Sequence, residues 1–401
     1  MKKLTALLLM VCLLLSGCGS NAPAETTAVP TTEAITEPTT EPTTAPTEPE
    51  VFFNPLNGEI LDEPFTDRII AHTITNTQDA IPHVGVNECD IYFEAYVSTG
   101  VVRSLALFTD ISDVEAIGGC RSTRLLFNQI CHNYDAVMIH GGGFTQVLQD
   151  ANGRGLDHFN VDSLYRQGDP LAQKVAYRDK VYKRQAPNNL FGYGPGIMDY
   201  LEAQNVRLTQ SADKDYSLTF VDDATPVNGQ DAGQIQITFG QNTKTTTMIY
   251  DPDTEKYVYY QYGKVMRDQI TDEVESFKNV VILQADVYAN YIYQEANFQV
   301  GGTGYYACNG KMIPITWECN DAPAPSPFHF MTETGAHLDF NRGNTYIAIV
   351  GFWNPLEFTA ETNIHTVLPP ETEPVETTEA TVPETTAQTI PETTAETTQA
   401  A

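Results

Sequence analysis

The chain is predicted to be an α+β protein, in which an N-terminal α/β domain precedes a β-rich C-terminal domain and disordered Thr/Pro/Glu-rich tails flank both. Three patterns predict this class. A helical repeat and a buried strand adjoin near residue 130, apolar strands dominate the second half, and both ends lack residues that could form a core. The expected boundaries are 1–20 (signal), 21–50 (linker), 51–210 (α/β domain), 211–360 (β-rich domain) and 361–401 (tail).

The N-terminus has the pattern of an export signal. Met1-Lys2-Lys3 precedes an apolar run, Leu4 to Leu15, that is too short to span a bilayer as a stable helix. The following Leu15-Ser16-Gly17-Cys18 resembles a bacterial lipobox, in which the signal is cut before a Cys that then carries lipid. We therefore expect a lipid-anchored protein at the cell membrane that faces the extracellular side. An ordinary secretory signal with a chance Cys is the alternative.

The two tails consist almost wholly of Pro, Thr, Glu and Ala, which is typical of extended linkers. Together they carry thirteen Glu and no Lys or Arg, so the net charge of −30 overstates the charge of the folded body. The body is still acidic. Nucleic-acid binding depends on Lys and Arg that neutralise phosphates, so the composition argues against a nucleic-acid partner.

The stretch Gly118 to Gly143 is the expected ligand site. Apolar positions at helical spacing predict a helix from about Thr123 to Asn133, with Ser122 as its N-cap. Arg121 and Arg124 then flank its first turn. Because cations oppose the helix dipole there, a bound anion would compensate them. Arginines that bridge Asp or Glu elsewhere in the fold are the alternative.

A short apolar run, residues 136–139, predicts a buried strand that ends in His140-Gly141-Gly142-Gly143. Ligands collect beyond the carboxyl ends of strands in α/β sheets, so His140 and Gly142 are expected at the site. Lipases and esterases use a similar tetrad in the oxyanion loop. No Gly-x-Ser-x-Gly sequence is present, however, so the tetrad predicts only a tight turn.

Other elements follow from alternation. Residues 68–74 predict a strand, residues 90–96 and 101–108 a hairpin that places Glu94 and Arg103 on neighbouring strands, and Gly196 to Ala203 a helix. Thr245 to Tyr262 predicts a hairpin in the strand-rich second half. The five body cysteines do not form a disulfide framework, although Cys308 and Cys319 either pair or remain thiols.

Several segments occur in an order and spacing that resemble a known family. They are NPLNG (54–58), CDIYFEAYVSTGVVRSLALF (89–108), IGGCRSTR (117–124), YDAVMIHGGG (134–143) and YRDKVYKRQAPNNLFG (177–192). This succession resembles the N-terminal domain of the YerB-like lipoproteins, and the second half is similar to the C-terminal partner domain. The resemblance covers roughly Asn54 to Val350. It implies little chemistry, because both domains are classed as domains of unknown function.

The chain departs from the family pattern at three positions. The family has Glu where this chain has Ser98, Ser where it has Gly143 and His where it has Asn188. An enzyme that used that Glu and His as acid and base would have lost both here, whereas a cleft of arginines would survive. Seven residues remain at matching places: Arg103, Arg121, Ser122, Arg124, His140, Arg184 and Asn189.

Two functions from different classes follow. The first is a surface-anchored protein that binds an anionic envelope or wall ligand through Arg103, Arg121, Ser122, Arg124, His140, Gly142, Arg184, Asn189 and Glu94. The second is a cell-envelope hydrolase or transferase in which His140 is the base and the arginines clamp charge. No zinc motif, Walker loop or dinucleotide fingerprint is present, so no metal or cofactor is expected. The sequence alone leaves both functions, and the oligomeric state, open.

Overall fold

The computed structural model describes residues 51–368 except 183, 213, 217, 291 and 321–324. The predicted signal, the lipidation site Cys18, the linker and the tail from residue 369 onward lie outside the described residues. The described residues are strand-rich, with 43% strand and 15% helix, and the N-terminal part is not clearly the α/β domain that was predicted. The part of the α+β prediction that is confirmed is a strand-rich structure with few helices.

The helices are short and few within the described part. They are α1 (Leu125–Asn133), α2 (Thr145–Gly153), α3 (Val161–Tyr165), α4 (Gly194–Ala203) and α5 (Ile364–Val367). The strands of the first half are β1 (Phe52–Phe53), β2 (Ile60–Leu61), β3 (Ile70–Thr75), β4 (Ile91–Ser98), β5 (Val101–Phe108), β6 (Ile117–Gly118), β7 (Val137–His140), β8 (His158–Asn160), β9 (Ala176–Arg178) and β10 (Leu190–Gly192).

The second half supplies the remaining strands. They are β11 (Thr219–Val221), β12 (Gln230–Asp231), β13 (Gln234–Phe239), β14 (Lys244–Asp251), β15 (Lys256–Gln261), β16 (Lys264–Val265), β17 (Ser276–Phe277), β18 (Asn279–Asn290), β19 (Tyr293–Asn297), β20 (Gly302–Cys308), β21 (Lys311–Asn320), β22 (Ser326–Thr332), β23 (Asp339–Asn341), β24 (Thr345–Gly351) and β25 (Leu356–Thr359).

The largest sheet has twelve strands and takes them from both halves of the chain. Strands β3, β4, β5, β7 and β8 come from the first half, whereas β12, β18–β22 and β24 come from the second. β24 lies between β4 and β18 and is parallel to both. Because its backbone hydrogen-bonds to a strand of each half, this one strand joins them in a continuous sheet.

Each face of the large sheet is covered by a separate apolar core. One core includes Tyr92, Ile237 and Tyr259. This core packs a second sheet against the large one, and the strand order of the second sheet is β16-β15-β14-β13-β25, with β17 beside β15. The other core includes Phe127 from α1 and Trp317 from β21. The side chains of the large sheet are therefore divided strictly by strand alternation.

A register shift in the β4–β5 hairpin decides which side chains share a face. Ser98 pairs with Val101, but after one extra residue on β4, Tyr96 pairs with Val102 and Glu94 with Ser104. A shift of one residue reverses the face on which each side chain lies. Glu94 and Arg103 therefore point to opposite sides of the sheet, although their strands are neighbours as predicted.

Most predicted local elements are present. The predicted strands, the helix near Gly196 and the hairpins appear as β3, β7, α4, β4–β5 and β14–β15. The helix α1 is also present, but its predicted N-cap is wrong. Arg124, not Ser122, occupies the N-cap position, and its side chain makes no capping hydrogen bond. Residues 121–123 instead lie outside the helix, and their backbone is bonded to the glycine loop, residues 141–143.

Three further observations concern the chain ends and the cysteines. Cys308 and Cys319 do not form a disulfide. Residues 361–368, the start of the predicted tail, include α5, whose Ile364 is buried in a small cluster with Ile249 and Val258. In the described part of the chain, no helix is both long and apolar enough to cross a membrane.

Candidate anion-binding site

The candidate site is built on the segment Arg121–Arg124, whose backbone is hydrogen-bonded to the glycine loop. The Thr123 amide donates to the Gly142 carbonyl (3.0 Å), and the Gly141 amide donates to the Arg121 carbonyl (2.9 Å). The Thr73 hydroxyl also donates to the Arg121 carbonyl. The segment therefore lies beside the loop that follows β7. Helix α1 begins at Leu125, directly after this hydrogen-bonded segment.

Arg103 approaches this segment from β5. Its side chain is 4% exposed, and its Nη1 donates to the Ser122 carbonyl at 2.6 Å. Its Nε is buried and has no hydrogen-bond partner. A buried guanidinium normally has all its donors satisfied, so this unpartnered nitrogen is an exception.

Arg121 and Arg124 complete the cluster. Nη1 of Arg121 donates to the side-chain oxygen of Asn188 at 3.0 Å. Nη1 of Arg124 donates to the Thr123 carbonyl at 2.7 Å, whereas its buried Nε has no partner. The Arg124 guanidinium carbon lies 5.4 Å and 5.8 Å from the ring centroids of Phe144 and Tyr293, which is cation–π distance.

The three positive charges affect one another. Burial, and then the charges of Arg124 and Arg121, lower the pKa of Arg103 to about 8. Burial lowers the pKa of Arg124 to about 10; Tyr293 opposes this shift and the charge of Arg121 contributes to it. Within the described residues, none of the three guanidiniums is paired with a carboxylate in a salt bridge. The cluster therefore carries unneutralised, partly desolvated positive charge.

Two helices begin beside the cluster without side-chain caps. Arg124 is the N-cap residue of α1, and Phe144, whose ring contacts Arg124, is the N-cap residue of α2. Both helices have nine residues, and neither N-cap side chain accepts a hydrogen bond from its helix. The first amide groups of a helix favour an anion, so they add to the positive potential of the arginines.

His140 lies behind the glycine loop rather than in the open. It is fully buried; its Nδ1 lies 2.7 Å from the Gly142 carbonyl oxygen, and its Nε2 lies 3.0 Å from Nδ1 of His158. Burial, and then the charge of His158, lower the pKa of His140 to about 4. His140 is therefore a neutral group that supports the Gly142 backbone, and both ring nitrogens are already engaged.

Glu94 belongs to a different environment. It is fully buried on the opposite face of the sheet, where it forms an ion pair with Lys244. Its carboxylate accepts hydrogen bonds from side chains of both halves: Asn76, Lys244, Thr246, Tyr259 and Tyr346. The structure therefore separates Glu94 from the arginines with which the sequence had grouped it.

The remaining predicted residues divide between the cluster and its surroundings. Ser122 contributes its carbonyl to Arg103, and a Cβ on Gly142 would lie 3.3 Å from the Ser122 hydroxyl. Arg184 instead donates to the Ala80 carbonyl at 2.7 Å and to the Gln269 side chain. Asn189 accepts from Arg178 at 2.7 Å. Neither Arg184 nor Asn189 contacts the three clustered arginines.

Three contacts of the cluster were missed in the sequence. Phe144 directly follows the glycine run, so its position could have been inferred, but nothing local links Tyr293 to Arg124. Asn188 was identified only as a departure from the family pattern. Each departure adjoins the cluster: Ser98 pairs with Tyr293, Gly143 precedes Phe144, and Asn188 accepts from Arg121.

The described residues contain no group of three or more His, Cys, Asp or Glu side chains that could hold a metal ion. What they offer is an arginine cluster on a strand-rich scaffold. The fold and this cluster define a strand-rich protein with an arginine cluster, but they do not define a reaction. Comparison with known proteins likewise gives a family and no reaction.

Residues 56–207 match the N-terminal domain, and residues 235–347 the C-terminal domain, of a protein of unknown function termed DUF3048. The chain belongs to this YerB-like family, as its sequence motifs predicted. It is 24% identical over 305 residues to the "Putative lipoprotein YerB" of Bacillus subtilis (strain 168), which covers 74% of this chain and 85% of the relative.

The crystal structure of YerB protein from Bacillus subtilis is also similar to this fold. The TM-score is 0.64, with 20% sequence identity, over 76% of this chain and 99% of the crystallised one. At this identity the likeness establishes the common fold alone. The function must therefore be argued from the side chains of this chain.

Proposed function

We propose that this chain is a lipid-anchored cell-surface protein that binds an anionic group of an envelope or wall ligand. The observation that carries the proposal is the convergence of Arg103, Arg121 and Arg124 with no carboxylate partner among the described residues. Buried guanidiniums with free Nε groups are costly unless a ligand accepts their hydrogen bonds. Phosphate and carboxylate oxygens match the guanidinium geometry.

The location rests on the lipobox-like sequence and on the relative, which is named as a lipoprotein. Both observations support a coarser conclusion: the chain is a membrane-associated member of a family without an established function. Attachment through Cys18 predicts that a labelled fatty acid enters the full-length chain in cells and is lost in Cys18→Ala. Unchanged labelling of Cys18→Ala would contradict this anchor.

The anion site is tested by thermal unfolding of the Cys18→Ala chain in phosphate and in chloride at equal ionic strength. Ligand at about ten times its Kd stabilises the folded state by about 1.4 kcal/mol, which raises the Tm of a protein this large by about 2 °C. We expect Arg121→Ala and Arg124→Ala to abolish this increase, because each removes a guanidinium from the cluster.

Arg166→Ala is the matched control, because Arg166 is exposed and forms a surface ion pair with Asp162. It should keep the full response to phosphate. Phosphate also stabilises proteins generally by exclusion from their surface, so only the difference between variants is informative. An equal response in Arg121→Ala, Arg124→Ala and Arg166→Ala would refute the site.

The hydrolase or transferase alternative has no such supporting observation. A general base must reach the substrate proton, yet both ring nitrogens of His140 lie within hydrogen-bond distance of the protein. We therefore favour binding over catalysis, with His140 as a support for Gly142.

A further inference from the structure

A second feature adjoins the arginine cluster on its α2 side. It is a cleft of about 340 Å³ formed where the β18–β19 hairpin meets α1 and α2. Among the described residues, its lining has no charged side chain and is mostly apolar: Leu125, Gln146, Val147, Asn290, Ile292 and Tyr293. We call this feature the hairpin cleft.

Two residues that line the hairpin cleft adjoin Arg124 of the arginine cluster. Leu125 directly follows Arg124 at the start of α1. Tyr293 lines the cleft, and its ring centroid lies 5.8 Å from the Arg124 guanidinium carbon and 5.2 Å from the Phe144 ring centroid. A ligand held by the arginines would therefore have an aromatic and aliphatic surface directly beside its charged group.

That surface is open to solvent. Ile292 is 55% exposed and Phe144 is 45% exposed. Single exposed apolar residues are common, but here Ile292 precedes Tyr293 in the cleft lining and Phe144 contacts the Tyr293 ring, beside the charge of Arg124. An apolar group with an attached anion would satisfy both parts of the site at once.

We propose that the ligand is an amphiphilic anion: a phosphate ester whose charged group binds Arg103, Arg121 and Arg124 and whose apolar substituent lies in the hairpin cleft. This inference rests on the proposed function, because it assigns the anion to the arginines. The same chemistry is presented by a lipid headgroup with its first methylenes and by a soluble alkyl phosphate.

The test compares three compounds by calorimetric titration of the Cys18→Ala chain: inorganic phosphate, hexyl phosphate and hexanol. Each methylene removed from water strengthens binding about fourfold, so burial of only two predicts a gain of about tenfold or more for hexyl phosphate over phosphate. Hexanol lacks the anion and should bind far more weakly than hexyl phosphate.

Ile292→Ser removes exposed apolar surface from the cleft without creating a cavity. It should abolish most of the hexyl gain and leave phosphate affinity unchanged, whereas Arg121→Ala should weaken both ligands. Ile270→Ser is the matched control, because Ile270 is 48% exposed and does not line the hairpin cleft. It should behave as the parent chain does.

The outcomes separate the two proposals. Equal affinity for phosphate and hexyl phosphate would overturn the amphiphile and leave the anion site intact. No binding of either would overturn the anion site itself. A hexyl gain that persists in Ile292→Ser would also refute the assignment of the cleft.

Vesicles identify the source of the ligand. Binding of the Cys18→Ala chain to phosphatidylglycerol vesicles but not to phosphatidylcholine vesicles, with loss in Arg121→Ala, would support a lipid headgroup. Hexyl phosphate binding without vesicle binding would support a soluble amphiphile.

Discussion

At the scale of single residues, the buried Glu94–Lys244 pair joins the two halves of the chain. The two side chains are 0% and 1% exposed. Burial lowers the pKa of Lys244 to about 8, and the Glu94 carboxylate opposes that change. Each charge is therefore tolerated only because the other is present.

Glu94→Gln should destabilise the protein by about 3–5 kcal/mol, because it leaves the Lys244 cation buried without its counter-ion. The double variant Glu94→Gln/Lys244→Met should recover most of this loss, since no isolated charge then remains. Unfolding in urea measures both. Lys311→Met is the control: its pair with Asp231 is exposed, so the expected change is below about 1 kcal/mol. A Glu94→Gln chain as stable as that control would contradict this account.

The grouping of Glu94 with the arginines, which the sequence predicted, is wrong for one reason. An uninterrupted two-residue turn at Thr99-Gly100 would place Glu94 and Arg103 on one face. The single extra residue on β4 reverses that relation, and no residue type in the strand announces it. The three arginines do lie near one another, because the charges of Arg124 and Arg121 lower the pKa of Arg103. Their role in binding stays a prediction.

At the scale of elements, the site depends on the contact between the glycine loop and the segment before α1. Gly142 has a φ of +112°, a conformation that side chains strongly disfavour, and a Cβ would meet the Ser122 hydroxyl at 3.3 Å. Its carbonyl also holds Thr123. A change in the backbone conformation of Gly142 would therefore move the Thr123 amide and the neighbouring arginines together.

Gly142→Ala should therefore lower stability by about 1–3 kcal/mol and weaken phosphate binding. Gly100→Ala is matched to it, because Gly100 also has a positive φ (+72°) but has open space around its Cβ position. It should lose stability while phosphate affinity is retained. Urea unfolding and phosphate titration separate these effects, and equal phosphate affinity in the two variants would argue against a role for the loop.

Elements set by local patterns were predictable. The apolar spacing of α1, the short apolar run of β7 and the turn between β4 and β5 all depend on neighbours within a few residues. The start of α1 was not predictable, because the hydrogen bonds of Thr123 to Gly142 and Asn128 compete with a helical turn at Ser122. Tertiary contacts of this kind leave no periodic signal in the sequence.

At the scale of the whole molecule, β24 unites the two halves in one sheet. Residues 345–351 hydrogen-bond to β4 on one side and to β18 on the other. The β18–β19 hairpin likewise brings Tyr293 to Arg124. The sequence predicted both groups of strands but not this pairing, since parallel neighbours far apart in the chain have no local signature.

The site is consequently a product of both halves: the first supplies the arginines and the glycine loop, and the second supplies the aromatic wall. We infer that this composite site binds an anion.

Calorimetric titration of inorganic phosphate into the Cys18→Ala chain and its Arg121→Ala and Arg166→Ala variants measures this binding. The account predicts one phosphate per chain, with binding retained in Arg166→Ala and lost in Arg121→Ala. Equal binding by all three chains, or no phosphate binding by the parent chain, would contradict it.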